Sequence, residues 1–258
     1  MSYIDGFVIA VPTANKQLFI AHANRVDSAF IDHGARRVVE CWGADVPKGK
    51  TTDFQGAVAA RDDETVAFAW IEWPDKASRD DVMGRMDELA KTDERFDPAK
   101  NPMPFDGKRL IYGGFEAIVE QGDAATDSYV QGFVIPVPAG KREDYRKMAE
   151  EAWAMFKDYG ALRVVEAWGD DVPDGKVTDF RRAVKAEPDE KIVFAFLEWP
   201  SREVCDAAHD KMLTDERMEL PEGMVLPFDG KRMIFGGFTR VVTLDAAFGL
   251  VGPRVARR

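Results

Sequence analysis

Apolar residues follow two spacings along the chain, and the spacing changes from one segment to the next. Residues 3–11 and 65–73 are almost continuously apolar over the length of a strand, and a proline ends each of them. Residues 13–33 repeat apolar positions every three or four residues, which predicts a helix capped by Thr13 and ended by Gly34. The predicted buried face of this helix consists of Phe19, Ala23, Val26 and Phe30.

Residues 37–42 alternate strictly and therefore predict a strand with two distinct faces. One face carries Val38, Glu40 and Trp42, and the other carries Arg37, Val39 and Cys41. A second helix is predicted from Asp75 to about Ala90, and a last strand over residues 109–119. The resulting order, βαββαβ, is that of a ferredoxin-like unit, in which helices cover one face of an antiparallel sheet.

The whole pattern occurs twice. Residues 6–74 align with residues 132–200 at a constant offset of 126, with 35 identities in 69 positions. Internal similarity at a fixed offset indicates a duplicated structural unit. The predicted domains are a first unit at 1–120, a small polar linker at 121–128, a second unit at 129–245 and a C-terminal tail at 246–258.

Each predicted sheet has a face that no helix of its own unit covers. Such a face would be a large apolar surface, which a soluble monomer rarely leaves exposed. The second copy is the obvious partner because it lies on the same chain. We therefore predict an α+β fold in which two ferredoxin-like units pack their antiparallel sheets together and enclose a core with a pocket.

Composition and charge narrow the classes of function. The 258 residues include 35 Lys or Arg and 46 Asp or Glu, and the net charge of −11 disfavours binding to nucleic acid. No run approaches the ~18 apolar residues of a membrane span, and no signal peptide is expected. Cys41 and Cys205 are too few for a disulfide framework, so a cytoplasmic location is expected.

Several motifs resemble one known family. They are Val39-Glu40-Cys41-Trp42-Gly43, Asp45-Val46-Pro47, Thr52-Asp53-Phe54, Glu72-Trp73-Pro74 and Pro104-Phe105-Asp106-Gly107-Lys108-Arg109. Over nearly all of both copies the chain resembles the uncharacterised YbaA-like family, domain of unknown function 1428. The resemblance implies a dimeric α/β barrel, formed here as a pseudo-dimer within one chain. The wider superfamily includes cofactor-free monooxygenases, isomerases, haem-dependent dismutase-like enzymes and stress-response proteins.

The two mid-strand glutamates, Glu40 and Glu166, are the first candidates for chemistry. A carboxylate beside Val and Trp in a strand must be paired or neutral. One interpretation is a general base, or a group that orients a ligand, in a pocket walled by Trp42 and Trp168. The other interpretation is a structural ion pair with a nearby arginine, such as Arg109 or Arg37.

Duplicated loop residues are the second set of candidates. Asp53-Phe54 and its repeat, Asp179-Phe180, follow the second strand of each unit. Loop residues at such a place often form a site, but Asp also serves as a helix cap. Arg109 and Arg232 each follow an Asp-Gly turn. Their planar guanidinium groups could bind an anionic ligand through paired hydrogen bonds, or form an ion pair with Glu40 or Asp53. The candidate pocket residues are Glu40, Trp42, Asp53, Phe54, Arg109, Glu166, Trp168, Asp179, Phe180 and Arg232.

Two functions stay open on this basis. One is a small-molecule binder or cofactor-free enzyme with its pocket between the two sheets; the other is a non-catalytic stress-related or protein-interaction module. No cofactor is expected, and no metal site, because His, Cys and carboxylates do not cluster at ligand spacing. The expected partner is a small-molecule ligand rather than nucleic acid or membrane, and further oligomerisation is left open.

Overall fold

Antiparallel strands close into a single barrel in the computed structural model, which describes residues 1–218 and 225–246. The strands are β1 Tyr3–Pro12, β2 Arg37–Asp45, β3 Glu64–Trp73, β4 Ile111–Gly122, β5 Tyr129–Pro138, β6 Arg163–Asp171, β7 Glu190–Trp199 and β8 Ile234–Asp245. The helices of the described residues are α1 Lys16–Asp32, α2 Phe54–Ala57, α3 Lys76–Gly84, α4 Met86–Thr92, α5 Arg142–Asp158, α6 Phe180–Ala183 and α7 Arg202–Met212. Residues 247–258 of the predicted tail lie outside the described residues.

The two halves of the chain join through the edges of their sheets. Around the barrel the strand order is β1-β3-β2-β8-β5-β7-β6-β4, so β2 pairs with β8 and β4 pairs with β6. The barrel that the family resemblance implied is confirmed, whereas the face-to-face packing of two separate sheets inferred from residue patterns is wrong, because the structure has one continuous closed sheet. Closure satisfies the backbone groups that β2 and β4 would otherwise leave unpaired at the edges of a four-stranded sheet.

The interior of the barrel is filled by side chains. β3 and β7 lie on opposite sides of the closed sheet, and their inward residues meet in layers across the core. Phe68 stacks on Phe194 with ring centroids 4.5 Å apart, and Trp70 stacks on Phe196 at 4.0 Å. Gly6 and Gly132 leave space for these rings, since a Cβ on Gly132 would lie 2.9 Å from the Phe68 ring.

Helices α1 and α5 cover the outer face of the sheet. On this face lie Glu40 and Trp42, whereas Val39 and Cys41 point into the barrel. The alternation of residues 37–42 predicted these two sets, and the structure decides which set faces inward. Within α1 the fully buried residues are Phe19, Ala23, Asp27 and Ala29; the predicted Val26 and Phe30 are only half-buried.

Local signals at the ends of elements are mostly confirmed. The side chain of Asp75 caps α3 by accepting a 2.8 Å hydrogen bond from Ser78 N, and Gly34 has the predicted positive φ, at 107°. Thr13 does not cap α1. It begins a 3-10 turn, and its hydroxyl instead contacts the Thr65 hydroxyl at 2.8 Å. Strand β4 continues through Gly122, so the connecting segment consists of residues 123–128.

Candidate functional site

Glu166 lies on β6 beneath α5, and within the described part of the chain one side chain forms a hydrogen bond with it. The hydroxyl of Tyr145 donates a 2.7 Å hydrogen bond to Glu166 Oε2. Burial beneath the helix raises the pKa of Glu166 to about 7, even though the hydrogen bond from Tyr145 acts in the opposite direction. The residue is nevertheless half-buried rather than fully buried. Near neutral pH this carboxyl group is therefore able both to accept and to donate a proton.

Apolar side chains surround the Tyr145–Glu166 pair. The Tyr145 ring meets the edge of Phe228 with centroids 5.9 Å apart. Trp168 is buried two residues along β6 in the same cluster, against which the half-buried Met148 and Met233 also pack. Methionine side chains adapt their shape easily. This region therefore combines one group able to transfer a proton, the Glu166 carboxyl, with an apolar environment whose edges are formed by flexible side chains.

The corresponding glutamate of the first half, Glu40, faces a second carboxyl group. Asp27 of α1 is buried against it, and burial raises the pKa of both groups well above the usual range, with Asp27 further raising that of Glu40. Among the described residues, neither Asp27 Oδ2 nor Glu40 Oε2 has a hydrogen-bond partner. Two adjacent buried carboxyl groups cannot both be ionised, so this pair holds at least one proton.

The two halves have diverged at this position. Phe19 and Asp27 in the first half correspond to Tyr145 and Trp153 in the second. Consequently one glutamate has a phenol beside it and the other has a second acid. Sequence reasoning did not single out Asp27 or Tyr145 as a candidate for chemistry, although Asp27 follows Ala23 by four residues on the helix face that is buried.

The two tryptophans lie beside the glutamates on the outer face rather than inside the barrel. Trp42 packs 5.9 Å from the Phe19 ring, and Lys16 Nζ lies 5.3 Å from its centroid. The Arg142 guanidinium lies 6.0 Å from the Trp168 ring. Glu40, Trp42, Glu166 and Trp168 therefore do not line a space between the sheets; each half holds its own Glu–Trp pair beneath a helix.

The loop aspartates cap the short helices that follow them. Asp53 accepts hydrogen bonds from Gly56 N at 2.6 Å and from Gly49 N at 3.1 Å. Asp179 accepts equivalent bonds from Arg182 N at 2.8 Å and Gly175 N at 3.1 Å. The loops of both halves border a cleft of about 340 Å³ at this end of the barrel, and Asp53 is among its lining residues.

Phe54 and Phe180, which follow these aspartates, close the same end of the barrel from within. The Phe54 ring meets Phe238 with centroids 5.4 Å apart, and the Phe180 ring meets Phe115 at the same distance. Both residues are fully buried. They belong to the packed core and lie away from Glu40 and Glu166.

Arg109 and Arg232 form ion pairs, but with partners other than those expected. Arg109 binds both oxygens of Glu64 at 2.6 Å, and Arg232 binds both oxygens of Glu190 at 2.7 Å. Neither Glu40 nor Asp53 is the partner. Each pair links the residue after an Asp-Gly turn to the beginning of β3 or β7, which is a structural role.

The cysteines and histidines add no reactive cluster within the described residues. Cys41 points into the barrel, where burial raises its pKa, and burial raises the pKa of Cys205 to about 12. His22 Nδ1 lies 3.2 Å from Asn101 Oδ1. Over residues 1–218 and 225–246, no group of three or more His, Cys, Asp or Glu side chains is placed to hold a metal ion. None of the described helices has the length and hydropathy of a membrane span.

Comparison with known proteins places this chain in a family. The sequence profile described as "Protein of unknown function (DUF1428)" matches residues 2–107 and again residues 128–230. The chain belongs to the DUF1428 family. The uncharacterised YbaA proteins of Escherichia coli K12 and Shigella flexneri are each 59% identical to it over 114 residues, which is 97% of YbaA and 44% of this chain. This DUF1428 protein therefore carries the family domain twice.

Solved structures share its fold at low sequence identity. An anthrone oxidase-like protein is similar with a TM-score of 0.54 and 14% identity, over 98% of this chain and 96% of that one. A proposed monooxygenase from Lactobacillus acidophilus NCFM has a TM-score of 0.55 and 12% identity, over 95% and 96% of the two chains. At such identities the similarity establishes the barrel fold alone.

Proposed function

We propose that this DUF1428 protein binds a small organic molecule on the helix-covered face of its second half and acts on it as a cofactor-free enzyme. Glu166 is the group that takes up and returns the proton, and Tyr145 orients it. The observation that carries the proposal is a half-buried carboxyl group with a pKa of about 7, held by one hydroxyl in an apolar surround. Such a group is suited to general acid–base catalysis at neutral pH.

The surroundings of Glu166 also suggest a substrate class. Aromatic rings and methionines belong to the apolar cluster around Tyr145, and Glu166 is the acid to which the Tyr145 hydroxyl donates its hydrogen bond. An apolar molecule with one weakly acidic C–H or O–H group would suit this environment. In the proposed step the Glu166 carboxylate removes that proton, leaving a carbanion or phenolate, and the carboxylic acid later returns it.

We further propose that each half is a ferredoxin-like βαββαβ unit and that the whole chain is a pseudo-dimer. The strand orders β4-β1-β3-β2 and β8-β5-β7-β6, with helices between the strands, support this description. Fusion of two units allows one copy to keep a site while the other diverges. In this description the Glu40–Asp27 pair belongs to the diverged copy, because Glu40 is only 9% exposed and its neighbour is another acid.

Proton exchange provides the test. The purified protein would be incubated in D₂O with a panel of phenols, 1,3-dicarbonyl compounds and anthrone, and deuterium uptake at carbon would be followed by mass spectrometry. At least one compound is expected to exchange faster with the protein than without it, with a pH profile that bends near 7. Removing a general base typically lowers the rate 10²- to 10⁴-fold, so Glu166→Gln should lose the acceleration.

Glu40→Gln is the matched control, because it changes the equivalent residue of the other half. It should keep the exchange rate of the wild type. Equal losses in the two variants would contradict the assignment to Glu166, and the absence of exchange with every compound of the panel would contradict the acid–base proposal.

A non-catalytic interaction module is the second candidate, and one observation favours it. Tyr112 and Phe235 occupy equivalent positions on the outer face of β4 and β8 and are 48% and 45% exposed. Aromatic residues on the surface are enriched at protein interfaces. If Tyr112→Ser and Phe235→Ser together abolished self-association or partner capture while Glu166→Gln changed nothing, this second function would be preferred.

A further inference from the structure

Charged side chains fill the end of the barrel opposite α2 and α6. Along β3 the inward residues after Phe68 are Trp70 and then Glu72, and along β7 they are Phe196 and then Glu198. Three guanidinium groups lie against them, from Arg37, Arg163 and Arg240, each with a side chain no more than 3% exposed. A buried charge is costly unless an opposite charge and hydrogen bonds compensate it.

Arg163 is fully compensated. Its two terminal nitrogens bind both oxygens of Glu72, at 2.8 and 2.9 Å. It also binds Glu120 at 2.6 Å and Glu198 at 3.4 Å. The Glu72 carboxylate accepts a third bond from Trp70 Nε1, at 2.9 Å.

Arg37, the equivalent of Arg163 in the first half, is not compensated in this way. Among the described residues, its Nε and Nη1 have no hydrogen-bond partner, and its Nη2 donates only to the backbone carbonyl of Ala125. Arg240 donates to the same carbonyl, and its Nη2 lies 2.7 Å from Glu198 Oε2 without hydrogen-bond alignment. Arg240 Nε also lacks a partner within the described part of the chain.

The linker between the halves covers these two arginines. Ala125 contacts the cluster through both of its backbone polar groups. Its carbonyl accepts the arginine hydrogen bonds described above, and its N–H donates a 3.1 Å hydrogen bond to Glu198 Oε2. On the other side of the linker lies a surface cleft of about 410 Å³, which is lined by Gly122, Asp123, Ala124, Ala125, Trp153, Lys157, Ala161 and Leu162. A single peptide group thus separates two buried guanidiniums with free N–H groups from a cleft large enough for a small molecule.

We propose that Arg37 and Arg240 form a site for the oxyanion group of a small molecule, a carboxylate or a phosphate. The oxyanion replaces the Ala125 carbonyl as the hydrogen-bond acceptor and bridges the free N–H groups of both guanidiniums. The rest of the molecule occupies the cleft beside Trp153. Guanidinium groups bind planar carboxylates and phosphates through paired hydrogen bonds. The bound anion supplies the acceptors that Arg37 Nε and Nη1 do not find among the described residues.

Anion titrations of the full-length protein test this site. Inorganic phosphate and acetate would be the probes, at constant ionic strength in a HEPES buffer, with calorimetry and thermal unfolding as readouts. Phosphate at 100 times its Kd is expected to raise the Tm of the wild type by roughly 5 °C. Arg37→Gln and Arg240→Gln should weaken phosphate binding about tenfold or more, because each removes charge-assisted hydrogen bonds.

The controls separate a built site from general charge effects. Arg36→Gln removes the same charge from an exposed neighbour and should bind phosphate as the wild type does. Without phosphate, Arg37→Gln should unfold at the same temperature as the wild type or higher, since it removes buried N–H groups that have no acceptor among the described residues. Arg37→Lys keeps the positive charge but loses the planar guanidinium, and it should bind phosphate with intermediate affinity. Equal phosphate binding by the wild type, Arg37→Gln and Arg36→Gln, or no binding of either probe at millimolar concentration, would overturn the proposal.

Discussion

Replacing Arg163 with glutamine is expected to lower the free energy of unfolding by about 3–5 kcal/mol, the usual cost of breaking a buried ion pair from one side. The guanidinium of Arg163 is 3% exposed and holds Glu72 and Glu198, whose side chains are 8% and 0% exposed. Without it the Glu72 carboxylate keeps only the hydrogen bond from Trp70 as a direct contact among the described residues. Because Glu72 and Arg163 belong to different halves, the loss also weakens the barrel where the halves meet.

Urea unfolding at neutral pH, followed by circular dichroism, would measure this effect. Arg142→Gln is the matched control: Arg142 forms a 2.7 Å ion pair with Glu116, but both side chains are about half exposed. A surface pair of this kind contributes about 0–1 kcal/mol. Equal midpoints for Arg163→Gln and Arg142→Gln would show that the buried network does not stabilise the fold.

The second large effect is expected for Phe194→Ala. Phe194 stacks on Phe68 across the barrel and also contacts Phe115 and Phe180, so its ring joins four elements of the interior. Truncating a buried Phe to Ala costs about 3–5 kcal/mol, because transfer energy is lost and a cavity remains. The neighbouring rings are held by the closed sheet and have little freedom to fill the space.

Phe235→Ala is the control for Phe194→Ala. Phe235 is 45% exposed on the outer face of β8, and its truncation should change stability by no more than about 0.5 kcal/mol. Both values would come from the same denaturant titrations. A small loss for Phe194→Ala would mean that the interior is loosely packed, in contrast to the stacked rings described above.

Much of the architecture could be predicted because the sequence contains it twice. Gly34, Asp75 and the alternation of residues 37–42 each carry a local signal that the structure reproduces. The closure of the sheet was harder to foresee, since the pairing of β2 with β8 joins residues about 200 positions apart and no local pattern encodes it. The family resemblance, rather than residue spacing, supplied the barrel.

The sequence identified Glu40, Trp42, Glu166 and Trp168 as candidate residues, but it did not show that they lie on the outer face of the barrel beneath the helices. Alternation puts Glu40 and Trp42 on one face of β2, but both faces of this strand are buried, so hydrophobicity does not tell which one points into the barrel. The partners were missed for related reasons. Asp27 and Val26 are adjacent, and a helical spacing of three or four residues fits either, so the apolar residue was chosen as the buried one. Tyr145 resembles its counterpart Phe19 in every respect but its hydroxyl.

The arginine cluster shows a further limit of sequence reasoning. Arg37 was correctly assigned to the face opposite Glu40, yet a charged residue on a strand is usually solvated, and nothing local indicates that it lies inside a barrel. Arg240 has no counterpart in the first half, where Ala117 occupies the equivalent position. Comparing the two copies identifies only duplicated residues, whereas this cluster depends on Arg240, which is not duplicated.

Acid–base chemistry at Glu166 requires that this carboxyl group change its ionisation near neutral pH, and a ¹³C NMR titration of the glutamate side-chain carboxyl groups measures that ionisation directly. The signal of Glu166 would be assigned by its loss in Glu166→Gln. Burial favours the neutral acid, so the carboxyl group should remain protonated well above the ordinary midpoint and titrate at a pH of about 7. A midpoint near the ordinary glutamate value of about 4.3 would contradict the account, because the group would then be a solvated carboxylate.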